Sequence, residues 1–396
     1  MHDVRPSLRP GLAAQPHDDP RFMVVWDQLR ISRNTLQVPR ALFTCMQRMD
    51  GERSLTDLQN LDGTLVPLDA LSHLLRHLDE ALFLAGPRFD AALAEPVRSP
   101  ACIGCYSGEP AKLREQLRQT FLMPGGPGLP GEPKPDGRLR AALLPHIDYA
   151  RGGPSYPFGF KEIVERSDAS LFVILATSHY SPNRFTLTRK HFKTPLGLVP
   201  TDQAYIDRLV KHYGDGLFDD PFAHYPEHSV ELEVVYLQYL YENVRPIRIV
   251  PLVVGSFHDC VEGDINPRHM PDVRRMIEAL KAVEAETPEP VCYVISGDLA
   301  HIGPKFRDPD PMAEPLLTHS REQDHVLIRK AEAVDANGYF EVIRDEQDRR
   351  RICGLPPTFV VLEAVQPKAG RLLSYGQYVH PRGFESVSFA SMAFDR

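Results

Sequence analysis

An α/β fold, a sheet covered by helices and preceded by a small winged-helix-like module, is what the sequence predicts. Three observations lead there. From Arg138 onward, short apolar runs alternate with amphipathic helical stretches, the pattern of buried strands and covering helices. Residues 21–96 carry strand and helix periodicities of their own. The stretch MPGGPGLPGEPKPDG lies between the two and is too rich in Pro and Gly to be a core element. A chain of 396 residues accommodates one large and one small domain, at roughly 100–200 residues per domain.

Residues 1–20 hold Pro, Asp and Gly without periodicity and are predicted to be a flexible arm. In the 21–96 module, Phe22 to Ile31 alternates like a strand and Thr35 to Val38 suits a second one. Arg40 to Met49 follows as a helix with Leu42, Phe43, Met46 and Met49 on one face, then a turn at Asp50-Gly51. Ser54 can cap a short helix carrying Leu55, Leu58 and Leu61. A longer helix from Leu68 to Glu80 aligns Leu71, Leu74, Leu75 and Leu78 ahead of Leu82-Phe83-Leu84. Winged helices commonly bind DNA, but this third helix sets Arg76 alone against Asp69, Asp79 and Glu80, so phosphate neutralisation is poorly supplied. The run from Met49 to Leu58, with the Leu-rich helix and Leu82 to Leu84 after it, resembles the PqqD-like peptide-binding domains of peptide-modifying pathways. That resemblance implies an extended peptide held along a strand edge.

Residues 97–138 comprise a short segment with helical spacing through Leu113, Leu117 and Phe121, and then the Pro/Gly-rich linker. Over 139–396, buried strands are predicted at Leu139 to Leu144, Leu171 to Ala176, Ile247 to Val254 and Val291 to Ile295. Helices are predicted at Asp202 to Tyr213, Val230 to Tyr241 and Pro271 to Glu284, with a further helix-like stretch from Thr358 to Val365.

Net charge is -8 and no Lys- or Arg-rich run exceeds a few residues, so nucleic acid and anionic membrane are not expected partners; a small molecule or peptide is. The longest apolar stretches, 170–176 and 247–254, fall far short of the ~20 residues of a membrane-spanning helix. The N-terminus lacks the apolar core and cleavage site of a secretory signal, which makes the cytoplasm the default expectation. Six scattered cysteines argue for reduced thiols rather than a disulfide framework. Cys102 and Cys105 form an isolated C-x-x-C with no second pair at zinc-finger spacing.

The polar residues that carry chemistry sit where the strands end. The first strand runs into Pro145-His146-Ile147-Asp148-Tyr149, the second into Thr177-Ser178-His179-Tyr180, and the Val291 strand into Ser296-Gly297-Asp298-Leu299-Ala300-His301. Ligand sites of open α/β sheets form at the carboxyl ends of strands, so these histidines can converge without being near in sequence. Imidazole suits iron, copper and zinc, and Cys353 would add a soft thiolate. His228, in Glu227-His228-Ser229-Val230-Glu231, stands where a helix begins and is open to a purely structural reading.

The ordered series PHIDY, ILATSHYSP, EHSVELEVVYLQYL, IVPLVVGS, SGDLAHIGPKF, ICGLPP and SVSFA resembles the Memo family, over roughly Cys102 to Phe394. The resemblance implies a fold related to the class III extradiol ring-cleaving dioxygenases, with a metal, Fe(II) or copper and with zinc as a further candidate, on His146, His179 and Cys353. Where those dioxygenases use two histidines and a carboxylate, a thiolate favours softer metals and alters the redox potential, so ring cleavage does not simply carry over. His301 matches the position of the dioxygenases' acid/base histidine, Asp298 would orient it or a metal-bound water, and His228 would act from the opposite wall. At Cys102-Ile103-Gly104-Cys105-Tyr106 the family's usual His-Ala-Gly-x-Trp-Tyr is missing. Family members in prokaryotes are often associated with a radical-SAM protein and a further small partner. The expected function is a metal-dependent oxidoreductase acting on a small aromatic or a peptide; a non-catalytic peptide-binding protein with a metal cleft and a metal-dependent hydrolase are the rivals.

Overall fold

Leu139–Leu144, Val291–Ser296, Leu171–Thr177 and Arg248–Val254 lie side by side in that order, all parallel, as aliphatic runs buried on both faces do. They belong to a computed structural model that describes residues 4–61, 64–309 and 312–396. Side chains alternate strictly between the two faces: Ala141, Leu143, Val173 and Leu175 enter one core, while Ala142, Leu144, Phe172 and Ile174 enter the other. Helices Gln203–Tyr213, Pro271–Glu286 and Leu355–Val365 cover the first face; Pro110–Leu122, Tyr156–Arg166 and Ser229–Tyr241 cover the second. The result is a three-layer α/β domain, in the unit Pro100–Arg396.

Predicted and observed elements agree closely where the strands are aliphatic. Leu139–Leu144 has the expected bounds, and the Leu171 and Val291 strands each extend one residue further, to Thr177 and Ser296. The predicted helix starting at Asp202 begins at Gln203, because the Asp202 carboxylate accepts the Tyr205 N–H at 2.7 Å and is itself the N-cap. Two long strands, Ala369–Val379 and Ser386–Asp395, were not foreseen. They form an antiparallel hairpin whose second strand pairs with Leu139–Leu144, so that the chain's end closes that side of the parallel core. The helix Pro110–Leu122 is more than an approach to a linker: Leu113, Leu117 and Phe121 are fully buried in the second core.

The unit Met1–Ser99 has a three-stranded antiparallel sheet, Leu12–Pro16, Phe22–Asp27 and Thr35–Pro39, followed by four helices. Leu68–Glu80 has the predicted bounds, and Ser54 caps Leu55–Gln59 through a reciprocal capping box with Asp57. The short helix stops at Gln59, and Leu61 belongs instead to the two-residue strand Asn60–Leu61. The arm predicted flexible over 1–20 is corrected in part. Residues 12–16 are a paired strand, and the Arg9 guanidinium meets Asp27 at 2.7 Å with both side chains out of solvent. A buried charge needs such a partner, and the pairing fixes the segment; residues 1–3 of the arm lie outside the described residues.

Candidate metal centre

The strand order explains why the histidines meet. Leu139–Leu144 and Leu171–Thr177 flank Val291–Ser296, and at ~4.8 Å between neighbours their carboxyl ends are about two strand spacings apart. Side chains reaching inward from His146 and His179 close that gap, bringing their rings to 5.0 Å between centroids. The middle strand ends in Ser296, and Asp298 lies just beyond it. Helix Ser229–Tyr241, buried nearly all round, brings in His228 at its start, 5.4 Å from the His146 ring and 4.5 Å from that of His179. One ring nitrogen from each of His146, His179 and His228 lies within 4.8 Å of the others.

Each imidazole is oriented from behind. The Ser296 hydroxyl donates to the Ser229 carbonyl at 2.8 Å, which leaves its oxygen to accept from His146 Nδ1 at 3.3 Å. His146 is thereby the Nδ1–H tautomer, with Nε2 turned to the site. Burial, reinforced by the neighbouring His179, holds His146 well below the usual imidazole pKa, so the ring is neutral. Glu227, fully buried, serves the other two rings. Its Oε1 accepts from His179 Nδ1 at 2.9 Å and lies 3.4 Å from His228 Nδ1; its Oε2 accepts the His179 backbone N–H at 2.7 Å. Burial alone would raise this carboxyl, but the charge and hydrogen bond of His179 outweigh it and hold Glu227 far below the usual range. For His179 burial pulls the pKa down, yet Glu227 overrides it and the net shift is upward. His228 is driven by burial and by the two adjacent imidazoles to about 3.

Cys353 stands beside His146, with Sγ 3.2 Å from His146 Nε2. Cys353, His146 and Asp298 form a second trio of donors within 4.8 Å, sharing His146 with the first. Two glycines permit this approach. A Cβ on Gly354 would stand 2.7 Å from the Asp298 carbonyl oxygen, and one on Gly297 would stand 2.5 Å from the Gly354 Cα. The Thr177 hydroxyl then donates to the Cys353 carbonyl at 2.7 Å, tying the loop to the second strand. Asp298 accepts the His146 backbone N–H at 3.0 Å, and burial raises its pKa. His301 sits at the margin, its Nδ1 3.2 Å from both the Leu299 and Arg351 carbonyls and its ring 5.2 Å from that of Phe306. Burial lowers its pKa and keeps it neutral.

A cleft of about 220 Å³ opens beside His179 and Cys353, walled by Phe257, Val261, Leu355 and Pro356 with Arg351 and His258 at its polar side. Of the arginines before Cys353, Arg350 is paired with Asp324 and Glu346 and Arg351 with Asp308, and burial pushes the Cys353 thiol well above its ordinary pKa. Any thiolate there depends on a metal rather than on these cations. Sequence reasoning missed Glu227 and Ser296 as orienting groups; the adjacency Glu227-His228 was the available signal for the first.

Most of the chain is similar to known proteins. The family described as Memo-like protein matches residues 98–393. A MEMO1 family protein of Aquifex aeolicus is 27% identical over 401 residues, covering 96% of this chain and 97% of its own length. A MEMO1 family protein of Methanopyrus kandleri is 28% identical over 306 residues, covering 74% of this chain and 98% of its own. With a family match that runs through all three parallel-strand ends and the Cys353 loop, the chain belongs to the Memo family, and its α/β domain is of the extradiol dioxygenase-like kind.

Proposed function

We propose that this chain is a metal-dependent redox protein that acts in the cytoplasm on a small aromatic or peptidic substrate. The observation that carries the reading is the meeting of three imidazoles at the strand ends, with the Cys353 thiol beside one of them, His146, and an apolar-walled cleft that reaches His179 and Cys353. The donor set fits a transition metal: imidazoles with Nδ1 engaged behind present Nε2 forward, and a thiol stands beside them. His146, His179 and Cys353 would hold iron or copper, with zinc as the redox-inert competitor. The bound metal would supply one-electron chemistry and a position open to substrate.

The chain's own groups do the rest. Phe257, Val261, Leu355 and Pro356 exclude water from an apolar substrate face, and Arg351 offers a fixed positive charge at the cleft's polar side. His301 is held with its proton at Nδ1 between two carbonyls, so Nε2 can take a proton from substrate and return it. Asp298 fixes the His146 backbone and its charge favours the protonated form of His301. Metal analysis of protein purified anaerobically, followed by oxygen uptake with catechols and short aromatic peptides, tests the reading. Stoichiometric iron or copper, lowered in Cys353→Ser and abolished in His146→Ala, is the expected result. Metal-free protein that takes up none of these ions on reconstitution would overturn it.

A further inference from the structure

One oxygen of Glu227 hydrogen-bonds His179 Nδ1 and lies 3.4 Å from His228 Nδ1, and that shared position bears on the ligand set. We propose that His228 is itself a metal ligand, so that the centre is a three-imidazole site on His146, His179 and His228, with Glu227 as the positioning residue for two of the three. The inference rests on the metal-centre reading above and departs from it in giving His228 a ligand's place rather than a catalytic one.

A single carboxylate oxygen, Glu227 Oε1, is 2.9 Å from His179 Nδ1 and 3.4 Å from His228 Nδ1. The same oxygen accepts the backbone N–H groups of His228 and Ser229 at 3.0 and 3.1 Å, so it is pinned by the start of the helix that carries His228. Both rings therefore turn Nδ1 backward to one anchor and Nε2 forward, and their planes lie only 31° apart. This is the carboxylate–histidine arrangement that fixes ligating imidazoles, made as a hydrogen bond at His179 and with the same oxygen 3.4 Å from His228. A general acid or base would instead need a proton path toward substrate. His228 faces two other imidazoles, and the residues lining the cleft include His179 but not His228. The donor trio that contains Cys353 includes His146 and Asp298 but neither His179 nor His228. The thiol thus meets His146 and not the His179–His228 pair.

Copper(II) loaded into the full-length protein reads this out directly. Electron paramagnetic resonance should show superhyperfine coupling to three imidazole nitrogens in the wild type and to two in His228→Ala. Competition titration with cobalt(II) should show an affinity loss of about 10- to 100-fold for His228→Ala, and a loss of similar order for Glu227→Ala with the three-nitrogen pattern broadened. His258→Ala, at the cleft's polar side, should change neither. Circular dichroism and melting of the metal-free variants establish that each is folded, and His228→Asn serves should the alanine variant not be. A two-nitrogen pattern in the wild type, or cobalt affinity unchanged in folded His228→Ala and His228→Asn, overturns the inference and leaves a centre on His146, His179 and Cys353 standing. Failure of the wild type to bind either ion overturns both.

Discussion

At the scale of single residues, two neighbouring imidazoles titrate on opposite sides of the ordinary value. His228 is driven to about 3 by burial and the adjacent rings, whereas at His179 the same burial is overcome by Glu227 and the pKa rises. The consequences for the metal-free protein have definite signs. Glu227, depressed on folding, contributes stability above its ordinary value of 4.5 and loses it as pH falls toward its folded value. His179, raised on folding, contributes below its ordinary value of 6.5 and loses it as pH rises through its folded value. Glu227→Gln should therefore cost most between pH 4.5 and 6.5, by roughly 1.5–3 kcal/mol for a buried charged hydrogen bond. Chemical denaturation across pH measures it, and a pH-independent difference would refute the pairing. NMR titration should find the two rings protonating in separate steps. The strand-end histidines were legible in the sequence because topology assigns that position a role before any contact is known. Glu227 was not: an acidic residue at a helix start has many uses, and only the folded geometry places one oxygen behind two rings.

At the scale of elements, the centre depends on how closely two loops approach. Gly297 follows the middle strand and Gly354 follows Cys353, and their backbones pack where neither tolerates a side chain. Gly354→Ala would place a methyl 2.7 Å from the Asp298 carbonyl, and relief must come from moving the Cys353 loop away from His146. A destabilisation of about 1–3 kcal/mol is expected from such overpacking, together with weakened metal retention, both measurable on one preparation. If metal content and melting point stayed at wild-type values, the close approach would not be what positions Cys353. The aliphatic strands were readable because burial on both faces leaves an uninterrupted apolar run. The closing hairpin was not, since Ser386–Asp395 mixes five buried residues of small or polar type, Ser386, Ser388, Ala390, Ser391 and Ala393, with its larger ones. Such a strand is recognised by what it packs against, not by its own periodicity.

At the scale of the whole molecule, the question is whether the first unit is needed to build the centre. The described ligands, Glu227 and the cleft residues all lie within Pro100–Arg396, and that unit has its own two cores around one sheet. The first unit has a separate core of Val25, Met46, Leu58, Leu71, Leu78 and Phe83, as expected of a module with its own folding unit. Deleting residues 1–96 should then leave metal stoichiometry and the three-nitrogen copper signal unchanged. What should be lost is any capture of an extended peptide along the edge of the Leu12–Thr35 sheet, where main-chain pairing would supply affinity with little sequence demand. Parallel metal analysis and peptide-binding titrations of the full and truncated chains distinguish the two contributions. Loss of metal from a truncated protein that still shows a cooperative melt would mean that the first unit helps form the site, and the division of labour argued here would be wrong.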